Sequence, residues 1–144
     1  MAANIIKPKD PHFTTVHPRL QEPRFWPHFK DCIGAIDGSH IPVTVPLSDT
    51  PKYVGRHGYA SQKIMVVCDF DLRFTFVVTG WPGSAHDTRI LNDTLITYAH
   101  KFPKPPPGNF VLVCSLFNTY EKKLCTVLTI VFTGKYYLVD SGSK

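Results

Sequence analysis

Apolar residues along the chain gather in short runs separated by polar, Gly- and Pro-bearing stretches. Residues 32–45 read as a strand, interrupted at Asp37-Gly38. The run 64–68 is short and apolar, Asp69-Phe70-Asp71 supplies a turn, and 73–79 alternates before turning wholly apolar. Two such runs around a short polar turn predict a β-hairpin. Gly80-Trp81-Pro82-Gly83-Ser84 is expected to break the sheet. A helix is then predicted to open near Asp87, capped by Ser84 or Asp87, with Ile90, Leu91, Leu95 and Tyr98 on its apolar face. Residues 102–108 are a Pro-rich stop, and a last β-prone run at 136–139 ends in Asp140-Ser141-Gly142. Residues 46–60 read as a loop with a basic tip at Gly55-Arg56-His57-Gly58. Residues 1–28 show no sustained periodicity and are expected to be an arm or linker, leaving 29–144 as the domain.

The order is strand with Asp, hairpin, helix, strand with Asp. The last strand can then lie parallel to the first, joined by a crossover helix. Parallel neighbours bring their C-terminal ends to one edge, so Asp37 and Asp140 are expected to face each other there. A buried carboxylate without partners is very costly, so Asp37 must meet a cation, donors or water. Two carboxylates at one edge suit Mg²⁺ or Mn²⁺, which take oxygen ligands in octahedral geometry. His40 and His86 adjoin these positions. Hard Mg²⁺ prefers oxygen, so both are expected to orient a carboxylate or face solvent. Arg56, His57, Lys63 and Arg89 are candidates for phosphate contacts, with a solvated face as the equal alternative. Asp69, Asp71 and Arg73 are expected to serve the hairpin turn, and Trp81 and Pro82 to pack.

Composition narrows the classes. At 144 residues there is room for one domain, and 43% apolar with 19% charged residues is a globular balance, not a disordered one. The net charge of +5 favours an acidic partner such as nucleic acid, weakly. Cys32, Cys68, Cys114 and Cys125 form no C-x-x-C pair, so no zinc knuckle is indicated and reduced thiols are expected. No secretory leader is read at the start. Residues 110–132 have the length of a membrane span, but Glu121-Lys122-Lys123 in their middle argues against insertion.

Three segments carry a resemblance: FKDCIGAIDGSHI, then VGRHGYASQKIMVVCDFDLRFTFVVTGWPGSAHDTRIL, then KYYLVDSG. Together they resemble the plant PIF/Harbinger-type transposases and their HARBI-like nuclease relatives. The resemblance implies a partial RNase H-like α/β fold with a mixed sheet and a DDE site that binds Mg²⁺ or Mn²⁺ and cuts DNA. Carried over by position, Asp37 matches the first aspartate, Asp87 a second acidic position, and Asp140 the aspartate ending the later strand. Strand order favours Asp140 as the metal partner of Asp37, with Asp87 close by and the alternative second member of the triad. It further implies DNA and a Myb-like DNA-binding protein as partners, a nuclear location, and no membrane. The family's catalytic Glu has no counterpart here, so a truncated and inactive catalytic domain is expected. The alternative is a non-catalytic transposase relic acting as a DNA- or protein-binding adaptor.

The resemblance is interrupted at NFVLVCSLFNTYEKKLCTVLTIVFTG, residues 109–134. The abundance of Phe, Leu, Val and Ile is what a T-rich intron read in frame would encode, and Phe-Thr-Gly suits an acceptor boundary. Residues 109–134 are therefore expected to be foreign to the domain. Their two apolar halves can pair as a hairpin. Ser143-Lys144 also departs from the family pattern.

Overall fold

The computed structural model describes residues 6–104, 110–118, 124–132 and 134–140; for 110–118, 124–132 and Asp140 it describes the backbone only. Among the described residues, six strands and two α-helices follow in the order β1 (Cys32–Pro42), α1 (Thr50–Tyr53), β2 (Ser61–Cys68), β3 (Phe74–Pro82), α2 (Asp87–Thr97), β4 (Phe110–Asn118), β5 (Leu124–Phe132) and β6 (Lys135–Asp140). The strands form one sheet in the order β3-β2-β1-β6-β5-β4. β1 and β6 are parallel, while β5 runs antiparallel to both β4 and β6, so the sheet is mixed. This is the predicted α/β arrangement, including the parallel pairing of the first and last strands. By contact density the chain divides into two compact units, each described in turn.

The first unit comprises residues 1–36, 67–76 and 103–144. Within it β1 pairs with β6 from Cys32 opposite Tyr136 to Ile36 opposite Val139. The last paired residues are thus those that precede Asp37 and Asp140. Tyr137 is nearly sealed from solvent, and its hydroxyl donates to the Pro103 carbonyl at 2.8 Å. A buried phenol requires such a partner. The stretch expected to be an arm or linker is tied down. Thr14 and Thr15 donate four hydrogen bonds to Asp10 Oδ2, residues Pro18–Gln21 form a 3-10 turn, and Leu20 is buried. His17 Nε2 meets Asp71 Oδ1 at 3.0 Å, which fastens the arm to the β2–β3 turn. That turn is built as predicted: Asp69 Oδ1 accepts the backbone N–H groups of Asp71 and Arg73, and the Arg73 guanidinium holds Asp69 and Asp71. The β4–β5 hairpin pairs from Phe110 opposite Phe132 to Asn118 opposite Leu124, as its two apolar halves predicted.

The second unit comprises residues 37–66 and 77–102. Alternation governs β2, where Ser61, Lys63, Met65 and Val67 are buried and the residues between them are half-buried. Ile90, Leu91, Thr94 and Leu95 form the buried face of α2. Tyr98 does not join that face. It is the C-cap and is 37% exposed, because the helix ends before the next turn would bring it round. The N-cap is His86, and neither Ser84 nor Asp87 caps; Asp87 is the first helical residue. Residues 46–60 are not all loop, since Asp49-Thr50-Pro51 starts the one-turn helix α1 with Pro in the first turn, where its missing N–H costs nothing.

Two expected interruptions are absent. β1 continues through Asp37-Gly38 to Pro42, and β3 continues to Pro82. Alternation explains the first: Cys32, Gly34 and Ile36 are buried, whereas Ala35, Asp37 and Ser39 are exposed. The Asp37 carboxylate therefore reaches water without breaking the strand.

Candidate metal centre

Asp37 lies on the open side of β1, and its Oδ1 accepts the Gly38 N–H at 2.7 Å. Gly38, the next residue, takes the opposite side. There the Asp87 carboxylate occupies the place a Cβ would fill: such an atom would collide with Oδ1 and stand 2.9 Å from Cγ. Only a residue without a side chain admits this approach.

The segment that delivers Asp87 is locked in place. Gly83 donates its N–H to the Ser61 carbonyl at 2.8 Å and packs so tightly on Ser61 Oγ and the Tyr53 carbonyl that a side chain there has no room. Ser84 Oγ donates to the Lys52 carbonyl at 2.6 Å. Lys63 Nζ donates to the Ala85 carbonyl at 3.0 Å and lies 2.9 Å from Asp87 Oδ1. The Lys63 side chain is only 7% exposed, while that of Asp87 is 37% exposed. Asp87 Oδ1 itself is sealed from solvent and receives no hydrogen bond of good geometry, so the Lys63 charge is its compensation. The exposure of the group belongs to the other side of the carboxylate.

The sequence offers Lys63 as a candidate for phosphate contact, with a solvated face as the equal alternative; its burial and ion pair fit neither. The signal was present, because Lys63 occupies a core-facing position in an alternating strand. A lysine there needs a carboxylate. Arg56, His57 and Arg89 remain exposed. Arg89 lies over the Trp81 ring, 5.9 Å from its centroid.

His40 shares the Gly38 side of β1. Its Nδ1 is 2.9 Å from Ser61 Oγ, and its ring meets that of His57 at 4.6 Å. Burial first, then the charges of Lys63, His57 and Arg56, hold its pKa below the usual histidine value, with Asp87 opposing them. His40 is accordingly a neutral polar neighbour. His86 is exposed and makes no side-chain capping bond.

The structure thus brings Asp87 against the residue that follows Asp37. Asp140 ends β6, and its side chain lies outside the described residues. Among the described residues no cluster of three His, Cys, Asp or Glu side chains forms. The donors a hard divalent ion takes are carboxylate oxygens, and those on offer are the water-facing carboxylate of Asp37 and the outer side of Asp87; the buried Oδ1 of Asp87 is already matched by Lys63. A separate cleft of about 790 Å³ lies between the arm and the β2–β3 turn, lined in part by Asp10, His17, Cys32 and Asp71, and contains none of the three aspartates.

The mixed α/β sheet carries aspartates at the end of one strand, within another and at the start of a helix. Residues 36–142 match the family described as DDE superfamily endonuclease, and the chain belongs to it. It is 35% identical over 65 residues to the rat protein named "Putative nuclease HARBI1", a segment that spans 45% of this chain and 19% of that protein. The human protein of the same name is 31% identical over 65 residues, with the same shares of each chain. "Protein ALP1-like" of Arabidopsis thaliana is 36% identical over 66 residues, 44% of this chain and 16% of the relative. The chain therefore spans about a fifth of the length of the curated relatives it matches. No solved structure matches it. No helix among the described residues is long and apolar enough to cross a membrane.

Proposed function

We propose that this chain carries the aspartate portion of a divalent-metal-dependent DNA endonuclease or transposase site, on a partial RNase H-like sheet. Asp37 and Asp140 are the principal ligands for Mg²⁺ or Mn²⁺, and Asp87 stands at the rim. The observation that carries the reading is the close seating of Asp87 on β1 at Gly38, the residue that follows Asp37. The β1–β6 register, ending at Ile36 opposite Val139, supports the Asp140 assignment. DNA is the proposed substrate, a Myb-like DNA-binding protein the proposed partner, and the nucleus the proposed compartment. Membership of the endonuclease family and the net charge of +5 support the first of these.

The chain's own residues set the stage for the reaction. The Gly38 N–H orients Asp37 through Oδ1, and Lys63 and the Gly38 surface fix Asp87. The bound ion supplies activation of the attacking oxygen and stabilisation of the leaving one in phosphodiester cleavage. With two aspartates and a rim carboxylate, ions are held weakly, so the chain alone is proposed to cut DNA poorly.

The test is Mn²⁺ titration by isothermal calorimetry. Wild type should bind weakly, and Asp37→Asn and Asp140→Asn should each abolish the heat. Equal binding by wild type and Asp37→Asn refutes the reading. Plasmid nicking by the wild-type chain with Mg²⁺ that Asp37→Ala abolishes would refute the inactivity.

A further inference from the structure

Lys63 fixes Asp87 in the site described above, and its charge bears on metal binding there as well. Its stem is buried on the core-facing side of β2, its ammonium donates to the Ala85 carbonyl, and it lies 2.9 Å from Asp87 Oδ1. Asp87 Oδ1 is sealed, unreached by any well-aligned donor, and seated on Gly38. A buried ammonium is retained only with a partner, and a buried carboxylate oxygen likewise. The pair therefore satisfies both charges without any ion from solution.

We infer that Lys63 is the resident counter-charge of Asp87. It pins Oδ1, leaves the other carboxylate oxygen as the one offered outward, and weakens divalent-metal binding at the aspartates by its own positive charge. The inference rests on the proposed metal site and adds a positioning residue to it. It has a definite sign. Removing a unit positive charge that stands within about 6 Å of a dication strengthens the dication's binding by about tenfold even at the dielectric constant of water. The stripped Oδ1 then has an unmet demand that an added ion can satisfy.

The experiment compares wild type, Lys63→Met, Lys63→Arg and Asp37→Asn by Mn²⁺ calorimetry and by melting with and without Mn²⁺. Lys63→Met is expected to bind Mn²⁺ about tenfold more tightly than wild type. Its melting temperature should be lower without Mn²⁺ and should rise further than wild type's when Mn²⁺ is added. Lys63→Arg keeps the charge and should restore wild-type affinity, a rescue that lost packing does not explain. Should Lys63→Met fail to fold, Lys63→Gln keeps a donor for Ala85 and carries the same prediction. Mn²⁺ binding that depends on Asp37 but is unchanged or weaker in Lys63→Met overturns the inference while the metal site stands. Absence of Asp37-dependent binding in wild type and in Lys63→Met overturns both. Asp37-dependent binding in Lys63→Met with none in wild type supports the inference, with Lys63 the winning competitor, and overturns the weak wild-type binding proposed above.

Discussion

Gly38→Ala is a small change whose consequence the structure fixes closely. The added methyl would occupy the space of the Asp87 carboxylate, colliding with Oδ1 and standing 2.9 Å from Cγ. The carboxylate cannot swing aside freely, because Lys63 holds Oδ1 and Gly83 and Ser84 are fastened to β2 and α1. Overpacking of this kind costs about 1–3 kcal/mol. For a domain of this size that lowers the melting temperature by about 4–12 °C. Backbone strain adds nothing, since Gly38 does not require a positive φ. The assay is thermal melting followed by circular dichroism on four proteins: wild type, Gly38→Ala, Asp87→Ser and the double variant. Asp87→Ser is itself destabilised, because Lys63 loses its partner, but it frees the space. The alanine should then cost less in the Asp87→Ser background by about 1 kcal/mol or more, a coupling expected of contacting residues. Equal costs in both backgrounds, or no cost in wild type, would show that Gly38 and Asp87 do not touch.

Three further outcomes follow from other parts of the chain. Burial raises the pKa of Asp10, but the hydrogen bonds from Thr15 and Thr14 outweigh it and hold the group down at about 2, against 3.8 unperturbed. A depressed pKa stabilises the fold above pH 3.8 and the gain disappears as pH falls toward 2; Asp10→Asn should therefore narrow the melting difference from wild type between pH 5 and pH 2, and a constant difference would contradict this. Tyr137→Phe removes the hydroxyl that serves the Pro103 carbonyl and should cost about 1–3 kcal/mol in urea unfolding with no change in m-value, whereas an unchanged midpoint would mean the carbonyl finds another donor. Deleting residues 109–134, so that Gly108 joins Lys135, should give a folded and more soluble chain if the β4–β5 hairpin is an accretion; an unfolded product would make the pairing of β5 with β6 part of the core.

The elements were legible where periodicity was strong. The short apolar run at 64–68, the alternation of 73–79, the turn chemistry of Asp69 and Arg73, and the repeated strand-then-Asp pattern led to β2, β3, β6 and the parallel β1–β6 pair. What sequence reasoning missed was mostly decided by side-chain direction. Asp37 looked like a strand breaker because a charge in an apolar run suggests burial, yet the odd positions of β1 face outward. Lys63 looked like a surface cation because its type is usually exposed, yet the register of β2 turns it inward. Gly38 carried no signal at all, since its partner is 49 residues away in sequence, the difference between 87 and 38, and only the fold brings them together. The order within the arm was not legible because it comes from Asp10 and His17 rather than from apolar periodicity.

The central claim is that Asp37 and Asp140 share a divalent ion, with Asp87 at the rim. Nuclear magnetic resonance with substoichiometric Mn²⁺ tests it most directly, because the paramagnetic ion broadens the amides nearest to it. The account predicts that the amide signals of Asp37, Gly38 and Asp140 fade first, that of Asp87 next, and that Mg²⁺ in excess restores them. Broadening that begins elsewhere, at Asp10 or Asp71 for example, or that spreads evenly over the chain while Asp37 and Asp140 keep their signals, would contradict it.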